Sequence, residues 1–494
     1  MKAQAAPGIL LAIAVALSGS RSVSAQDELQ RVYSEAQQAQ AAGDLATATA
    51  KYEEIVRLQP RMAEAYANLG NLYYQQSQMS RAKAAYTKAA ALKPNLGGPQ
   101  FFLGVIAFGE HDYASALRYF ELAQTLQPGN SLIHAYLGYA AYARNAFHDA
   151  AQALEQAMAL DKNNIDVLYH LSKCYGHLAD ESLTRLKNRY GDSVWTNLAR
   201  AHAFETQENW KAAGEQYSLA SQQMPDSASL QQKVLFVTSK ASGETSTVAG
   251  ATDPLIEGSL SYKDVHLSGS RLDDAIAHWK TTVRGLEKET SNAKQTYLVA
   301  EGYQVLSYLL TLRVVESDPN SYRVHQLQAQ SLEASDKDEA AIAEYRKALE
   351  KKPDLQNIHF AIGSLYWKAQ SFDAARKELE EELKLNPNHP QALYELGDIA
   401  AFAGDAVDAE KDFLAALKLD ASLVEAHLAL EKLYTQSGRF ALSVEHLKKV
   451  LAIIPKEARV HYRLAVVYRK QGQTAAADRE LALFNQQPAS SKAQ

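Results

Sequence analysis

The chain of 494 residues carries 51 basic and 57 acidic side chains, a formal charge of −6, and 47% of its residues are apolar. That balance excludes nonspecific nucleic-acid binding, which runs on a basic patch, and a lone cysteine, Cys174, excludes an internal disulfide. Single cores stop growing at about 250–300 residues, so a chain of this length needs several cores or a solenoid.

Met1 to Ala25 reads as an export signal. Lys2 supplies the positive end, Ile9 to Leu17 the apolar stretch, and Val23-Ser24-Ala25 the small-residue cleavage pattern, so cleavage between Ala25 and Gln26 is expected. The apolar stretch is shorter than the ~20 residues needed to span a bilayer, and no cysteine follows the cleavage site to carry a lipid. Lys2 and Arg21 leave with the signal, so 49 basic residues then face 57 acidic ones, a formal charge of −8. The expected localisation is the periplasm or the exterior, with no stable membrane span after signal removal. Val305 to Val315, the most apolar later run, is broken by Arg313 and fits a packed helix better than a span.

From Leu29 onward the residue choices recur in step. Units run from Leu29 to Met62, Ala63 to Leu96, Gly97 to Asn130 and Ser131 to Asn164. In the second, Tyr66, Leu69, Gly70 and Tyr73 stand at positions 4, 7, 8 and 11, the spacing of one helix face. Ala82, Tyr86 and Ala89 repeat the pattern at positions 20, 24 and 27, and Pro94 stops the helix at position 32. Small residues recur at position 8 (Ala36, Gly104, Gly138) and Ala at position 20 (Ala48, Ala116, Ala150). Eight of the 13 prolines hold position 32: Pro60, Pro94, Pro128, Pro225, Pro319, Pro353, Pro387 and Pro455. Two amphipathic helices that cross at small residues describe a hairpin that must stack on copies of itself.

These units resemble tetratricopeptide repeats, whose period is about 34 residues, with a small residue at 8, Ala at 20, an aromatic at 24 and Pro at 32. The resemblance covers about four fifths of the mature chain. It implies an all-α fold, a right-handed superhelical solenoid of about eleven helical hairpins, here with an irregular central insertion. It speaks to packing far more than to function.

The fifth unit, Ile165 to Ser193, is shorter than the others, and the loss falls at the turn. Leu171, Ser172 and Tyr175 keep positions 7, 8 and 11, and Ala179, Leu183 and Leu186 stand in for 20, 24 and 27; loss of the turn is expected to fuse or sharply bend the two helices. Val194 to Ser227 is again a full unit. Tyr169, Tyr175, Ser193 and Pro225 align without gaps on Tyr297, Tyr303, Ser321 and Pro353, which reads as an internal duplication. The arrays are thus expected at 26–227 and 293–490, separated by an insertion at 228–292. Within it 241–270, rich in Ser, Thr and Gly, reads as a flexible loop and 271–287 as a helix. From Tyr322 the register is strict, except that the tenth unit, Val424 to Glu457, has Glu431 at position 8 and Ser443 at position 20. Residues 491–494 form a polar tail.

Positions 2, 5, 9 and 12 of each first helix point away from its packing face, and the resemblance implies that they line a concave groove. They collect Tyr33, Tyr74, Phe101, Phe108, Tyr139, Tyr142 and Tyr169, then Phe360, Trp367 and Tyr394. The last unit adds Arg459 and Arg469, with Arg463 and Lys470 one step round. Exposed rings suit the apolar anchors of a peptide or a flat ligand, and arginines suit a carboxylate. The carboxylate clamp that grips chaperone tails asks for Lys at 5 and Asn at 9, then Asn at 6, then basic residues at 2 and 6. Tyr394, Asp398 and Ala429 break that pattern and only Arg459 and Arg463 keep it.

His134, His325, His359, His427 and His461 all occupy position 4. Equal positions in adjacent units lie about 10 Å apart, too far to share a metal bound at about 2.0–2.1 Å, so a packing role is expected. Cys174 reads as a small buried hydrophobe. No HExxH, paired CxxC, Gly-rich phosphate loop or nucleophile elbow occurs, so no catalysis, cofactor or metal is expected. The sequence therefore points to an exported bacterial scaffold that binds a protein or an extended peptide in its groove. The alternative is an envelope assembly or secretion factor that captures polysaccharide or outer-membrane components, since rings also stack on sugars.

Overall fold

The computed structural model describes residues 23–243, 267–288, 292–455 and 457–486, and these form 24 α-helices with no strand among them. Two compact units divide at Val324 and His325. Most of the expected signal (1–22), most of the loop read at 241–270 and the tail lie outside the described residues. Ala25 and Gln26 fall in the first turn of α1.

In the unit that ends at Val324, four hairpins follow one another: α1 (Val23–Ala41) with α2 (Leu45–Leu58), α3 (Ala63–Gln75) with α4 (Met79–Leu92), α5 (Gly97–Gly109) with α6 (Tyr113–Leu126), and α7 (Ser131–Ala143) with α8 (Phe147–Leu160). The close approach explains the small residues. A Cβ on Gly70 would lie 2.6 Å from the Tyr86 ring, and one on Gly104 would lie 2.5 Å from Phe120. Each position-8 glycine thus makes room for the large side chain at position 24. At position 20, Ala48, Ala82, Ala116 and Ala150 are fully buried. The turn is as regular as the core: position 15 has positive φ at Gly43, Ser77, His111 and Asn145 here, and at Asp336, Gln370, Gly404, Gly438 and Gly472 further on.

The fifth unit has no such turn. Of the two outcomes expected for it, fusion is what occurs: α9 (Ile165–Tyr190) is one helix of 26 residues. Its copy is likewise single, α14 (Ala293–Ser317), and the two pack antiparallel along their length. Leu186 shares a core with Tyr297 at one end, and Arg313 donates to Asn163 at the other. The pairing of helices so far apart in the chain makes the remaining elements an excursion from the tip of this long hairpin: α10 (Val194–Thr206) with α11 (Trp210–Gln223), α12 (Ala228–Ser242) on α11, and α13 (Ser270–Glu287) on α14. Among the described residues α14 alone is long and apolar enough to cross a bilayer, yet Val305, Leu309, Leu310 and Val314 are buried in this packing. Cys174 is fully buried on α9, and burial pushes its thiol up to about 12.

Helix α15 (Tyr322–Glu333) leads into the regular register. In the unit from His325 it pairs with α16 (Asp338–Lys351) through His325–Glu344 and Tyr345–Glu333 bonds. Then come α17 (Ile358–Lys368) with α18 (Phe372–Leu385), α19 (Pro390–Phe402) with α20 (Ala406–Leu419), α21 (Val424–Gln436) with α22 (Phe440–Ile453), and α23 (Ala458–Lys470) with α24 (Thr474–Gln486). The architecture is a solenoid of paired helices.

Candidate binding face

In the N-terminal unit the rings at positions 5, 9 and 12 meet neighbouring rings more than they meet solvent. Phe101 packs edge-on to Tyr136 at 5.4 Å, Phe108 to the same ring at 6.0 Å, and Tyr139 reaches His170 at 4.5 Å. Tyr142 lies 3.0 Å from Nε2 of His177 and edge-on to Phe147. The expectation of open rings is therefore corrected at three places: Phe101, Tyr139 and Tyr169 are only 6–7% exposed. Their large faces fill the space between neighbouring first helices. Tyr33, Tyr74, Phe108 and Tyr142 are half-buried and keep part of their surface on this face. Burial pushes the Tyr142 hydroxyl up to about 12.

Beside these rings lies a polar cluster. Arg323 stacks over Tyr169 at 4.4 Å and binds Asp166 at 2.6 Å, and the Tyr322 hydroxyl donates to the same carboxylate at 2.7 Å. The guanidinium is almost fully buried, with His170 next to it; burial first, then the Arg323 charge, hold that imidazole down to about 4. Sequence reasoning missed this cluster although its signal was present. Asp166 and Arg323 both stand at position 2 of their units, among the positions already selected. Their pairing was hidden because it depends on α9 meeting α14.

In the unit from His325, Phe360, Trp367 and Tyr394 are half-buried. The Trp367 Nε1–H donates to Asp398 at 2.9 Å, and Phe360 lies 4.4 Å from the His389 ring. Next to Asp398, Glu395 is 8% exposed. One of its oxygens accepts from Ser364 at 2.7 Å and the other has no partner among the described residues. Burial first, then the Asp398 charge, push this carboxyl up to about 7. The arginines differ from one another. Arg463 is held by Glu431, Arg469 lies 3.8 Å from Asp478, and Arg459 is exposed. An anion site built on all three is thus reduced by the internal pairing of Arg463.

The position-4 histidines also find partners. His325, His359 and His461 each place Nδ1 2.7 Å from a glutamate at position 23, Glu344, Glu378 and Glu480. No group of three or more potential metal ligands occurs among the described residues.

Hairpins that close on a small residue at position 8 and Ala at position 20 are the geometry that the tetratricopeptide resemblance implies, and the structure adds a left-handed residue at position 15. The pattern of that family matches residues 33–96, 103–165 and 360–423, and a related repeat pattern matches 334–370. The chain is a tetratricopeptide repeat protein. Tetratricopeptide repeats are, as a family, a noncatalytic scaffold of the kind that binds peptides and proteins. Among relatives, this tetratricopeptide protein is 27% identical over 168 residues to the TPR repeat-containing protein YpiA of Bacillus subtilis (strain 168), covering 34% of this chain and 40% of that one. It is 24% identical over 158 residues to anaphase-promoting complex subunit 3 of Schizosaccharomyces pombe (strain 972 / ATCC 24843), covering 32% and 24%. It thus spans less than half the length of either relative. Among solved structures, YrrB, described as a TPR protein with an unusual peptide-binding site, gives a TM-score of 0.31 at 19% identity, over 35% of this chain and 90% of that one.

Proposed function

We propose that this protein is exported and works in the bacterial cell envelope, where the face formed by its first helices holds an extended peptide or a partner domain. The observation that carries the reading is the row of half-buried rings and fixed carboxylates on successive repeats. Trp367 and Tyr394 stand beside Asp398, whose orientation is fixed by the Trp367 N–H, and Phe360 lies half-buried on the same helix as Trp367. Rings packed edge-on, with only part of their surface free, suit apolar side chains of a peptide better than the broad face of a sugar. Capture of polysaccharide or of outer-membrane components is the second reading, supported by the same half-buried rings. Export is supported by the leader-like segment Met1 to Ala25.

A photo-crosslinking residue placed at Tyr142 or Trp367, with a control at the exposed Glu380 of α18, tests the face in intact cells. Adducts to one protein from the first two positions and none from Glu380 are expected. Equal adducts from Glu380 would overturn the reading. Peptide and oligosaccharide arrays probed with purified protein separate the two ligand classes, and a periplasmic product that begins at Gln26 tests export.

A further inference from the structure

Three of the five repeats from His325 onward pair a position-4 histidine with a position-23 glutamate, and one has Leu393 and Asp412 there. The repeat of α21 and α22 departs in a different way: position 23 is His446, and its Nδ1 lies 2.8 Å from Nδ1 of His427. Both rings are at least nine-tenths buried, 3% and 5% exposed, against a cavity of about 380 Å³. Hydrogen-bond chemistry fixes the proton count. His427 Nε2 lies 3.1 Å from the Ala421 carbonyl, which can only accept, so that nitrogen carries the hydrogen. In the neutral ring Nδ1 is then bare, and His446 must donate to it. One proton too many leaves two poor choices. It enters the far nitrogen of His446, deep beside Lys449, or it occupies His427 Nδ1 and sets two N–H groups against each other.

We propose that the His427–His446 pair is an acid-sensitive joint, at which protonation opens the hairpin of α21 and α22 and frees the terminal hairpin of α23 and α24. The surrounding charges do not relieve it. Glu445 is exposed and tied to Lys449 at 2.8 Å. Lys418 of α20 and Lys449 of α22 both line the cavity. Tyr434 donates to Glu410 of α20, which also binds Arg439, and Glu431 is taken by Arg463 of α23. Burial first, then His427 and Lys449, hold His446 down to about 4, and burial lowers His427 as well.

The sign follows from proton counts. Unfolded histidines titrate near 6.5, so between pH 6.5 and 4 the open state binds more protons than the closed one, and closure weakens as pH falls. In a repeat array each hairpin leans only on its neighbours, so loss of α21 and α22 takes away the support of α23 and α24.

Amide hydrogen exchange at pH 7 and pH 5 on the whole protein, corrected for intrinsic chemistry, reads this repeat by repeat. Protection over 424–453 and 458–486 should fall roughly 20-fold more than over 358–385, the ratio that a shift from 6.5 to about 4 produces across that range. His446→Glu rebuilds the pair used by the other repeats and should remove the difference. His446→Gln, neutral at every pH, is the second variant and should be flat as well. Equal loss in α17–α18 and α21–α22 of the wild type would overturn the proposal, as would either variant remaining as acid-labile as the wild type.

Discussion

The hairpin of α3 and α4 and the long pair of α9 and α14 solve one packing problem by different means. In the first, a left-handed residue at Ser77 reverses the chain and Gly70 lets Tyr86 lie against the backbone, so the interior is almost wholly apolar. In the second no reversal occurs and the partner arrives from beyond α10 to α13. Polar groups then take a larger part. Tyr175 and Tyr303 stack at 5.6 Å; Tyr175 donates to Glu155 on α8, which also binds Lys280 of α13 at 3.0 Å, and Tyr303 donates to Glu287 of α13. Asp166 at the start of α9 is tied to Arg323 just beyond α14. The difference teaches that the turn, and not the apolar pattern, decides whether such a stretch becomes two helices or one. A fused helix must then take its partner from a distant part of the chain.

If ionic ties hold the long pair, cutting one should cost more than any change in a regular hairpin. Asp166→Ala leaves Arg323, 4% exposed, without its carboxylate, and breaking a buried pair in this way costs about 3–5 kcal/mol. Urea unfolding of the variant should show that loss. Replacing Asp166 and Arg323 together with apolar residues should recover most of it. A cost below ~1 kcal/mol for the single variant would mean that apolar packing alone secures α9.

Glu395 sharpens the contrast from the other side, because it is a buried charge within a regular hairpin. Its carboxyl is raised to about 7 in the folded protein, above the ordinary value near 4.3. The folded state therefore holds more protons between those values, and stability falls as pH rises through that window. Glu395→Gln should remove the slope and stabilise the protein above pH 7 by at most about 4 kcal/mol. Melting curves at pH 5 and pH 8 check both. If Gln destabilises at pH 8, the Ser364 bond matters more than the burial.

The regular hairpins were legible in the sequence because each rests on contacts within a single repeat: small at 8, Ala at 20, large at 24, Pro at 32. What escaped was non-local. Nothing in the neighbourhood of Tyr169 or Tyr175 says that α14 will lie beside them, so the Asp166–Arg323 tie and the burial of Tyr139 and Tyr169 could not be foreseen. The histidine column was visible, but its meaning required the register between positions 4 and 23, and within that column the repeat with His446 differs from the His–Glu repeats only at position 23. Glu395 was passed over because the groove was read from positions 2, 5, 9 and 12, and position 6 entered it only through the basic Arg463.

Two glycines test the apolar half of the contrast. Gly104→Ala would place a methyl 2.5 Å from Phe120, whereas Gly176→Ala in α9 meets nothing nearer than Ser307 Oγ at 3.8 Å. The first should lose about 1–3 kcal/mol through overpacking. The second should gain up to ~1 kcal/mol from helix propensity. Paired melting temperatures that moved in the same direction would remove close approach as the mark of the regular hairpins.

The turn itself gives the smallest effect and the most direct comparison. Gln370 holds φ of 57°, where an L side chain is strained by about 1–2 kcal/mol. Glycine removes that strain but frees the unfolded chain, which returns roughly 0.4–1 kcal/mol, so Gln370→Gly should stabilise by about 0.5–1 kcal/mol. At the exposed Glu181 in the middle of α9 the backbone is helical, and glycine should instead cost ~1 kcal/mol. The same substitution thus has opposite signs at a hairpin turn and at a comparable stretch of fused helix. Equal signs in thermal melts of the two variants would mean that the reversal at position 15 imposes no local demand, and the fusion of α9 would then need a cause outside its missing turn.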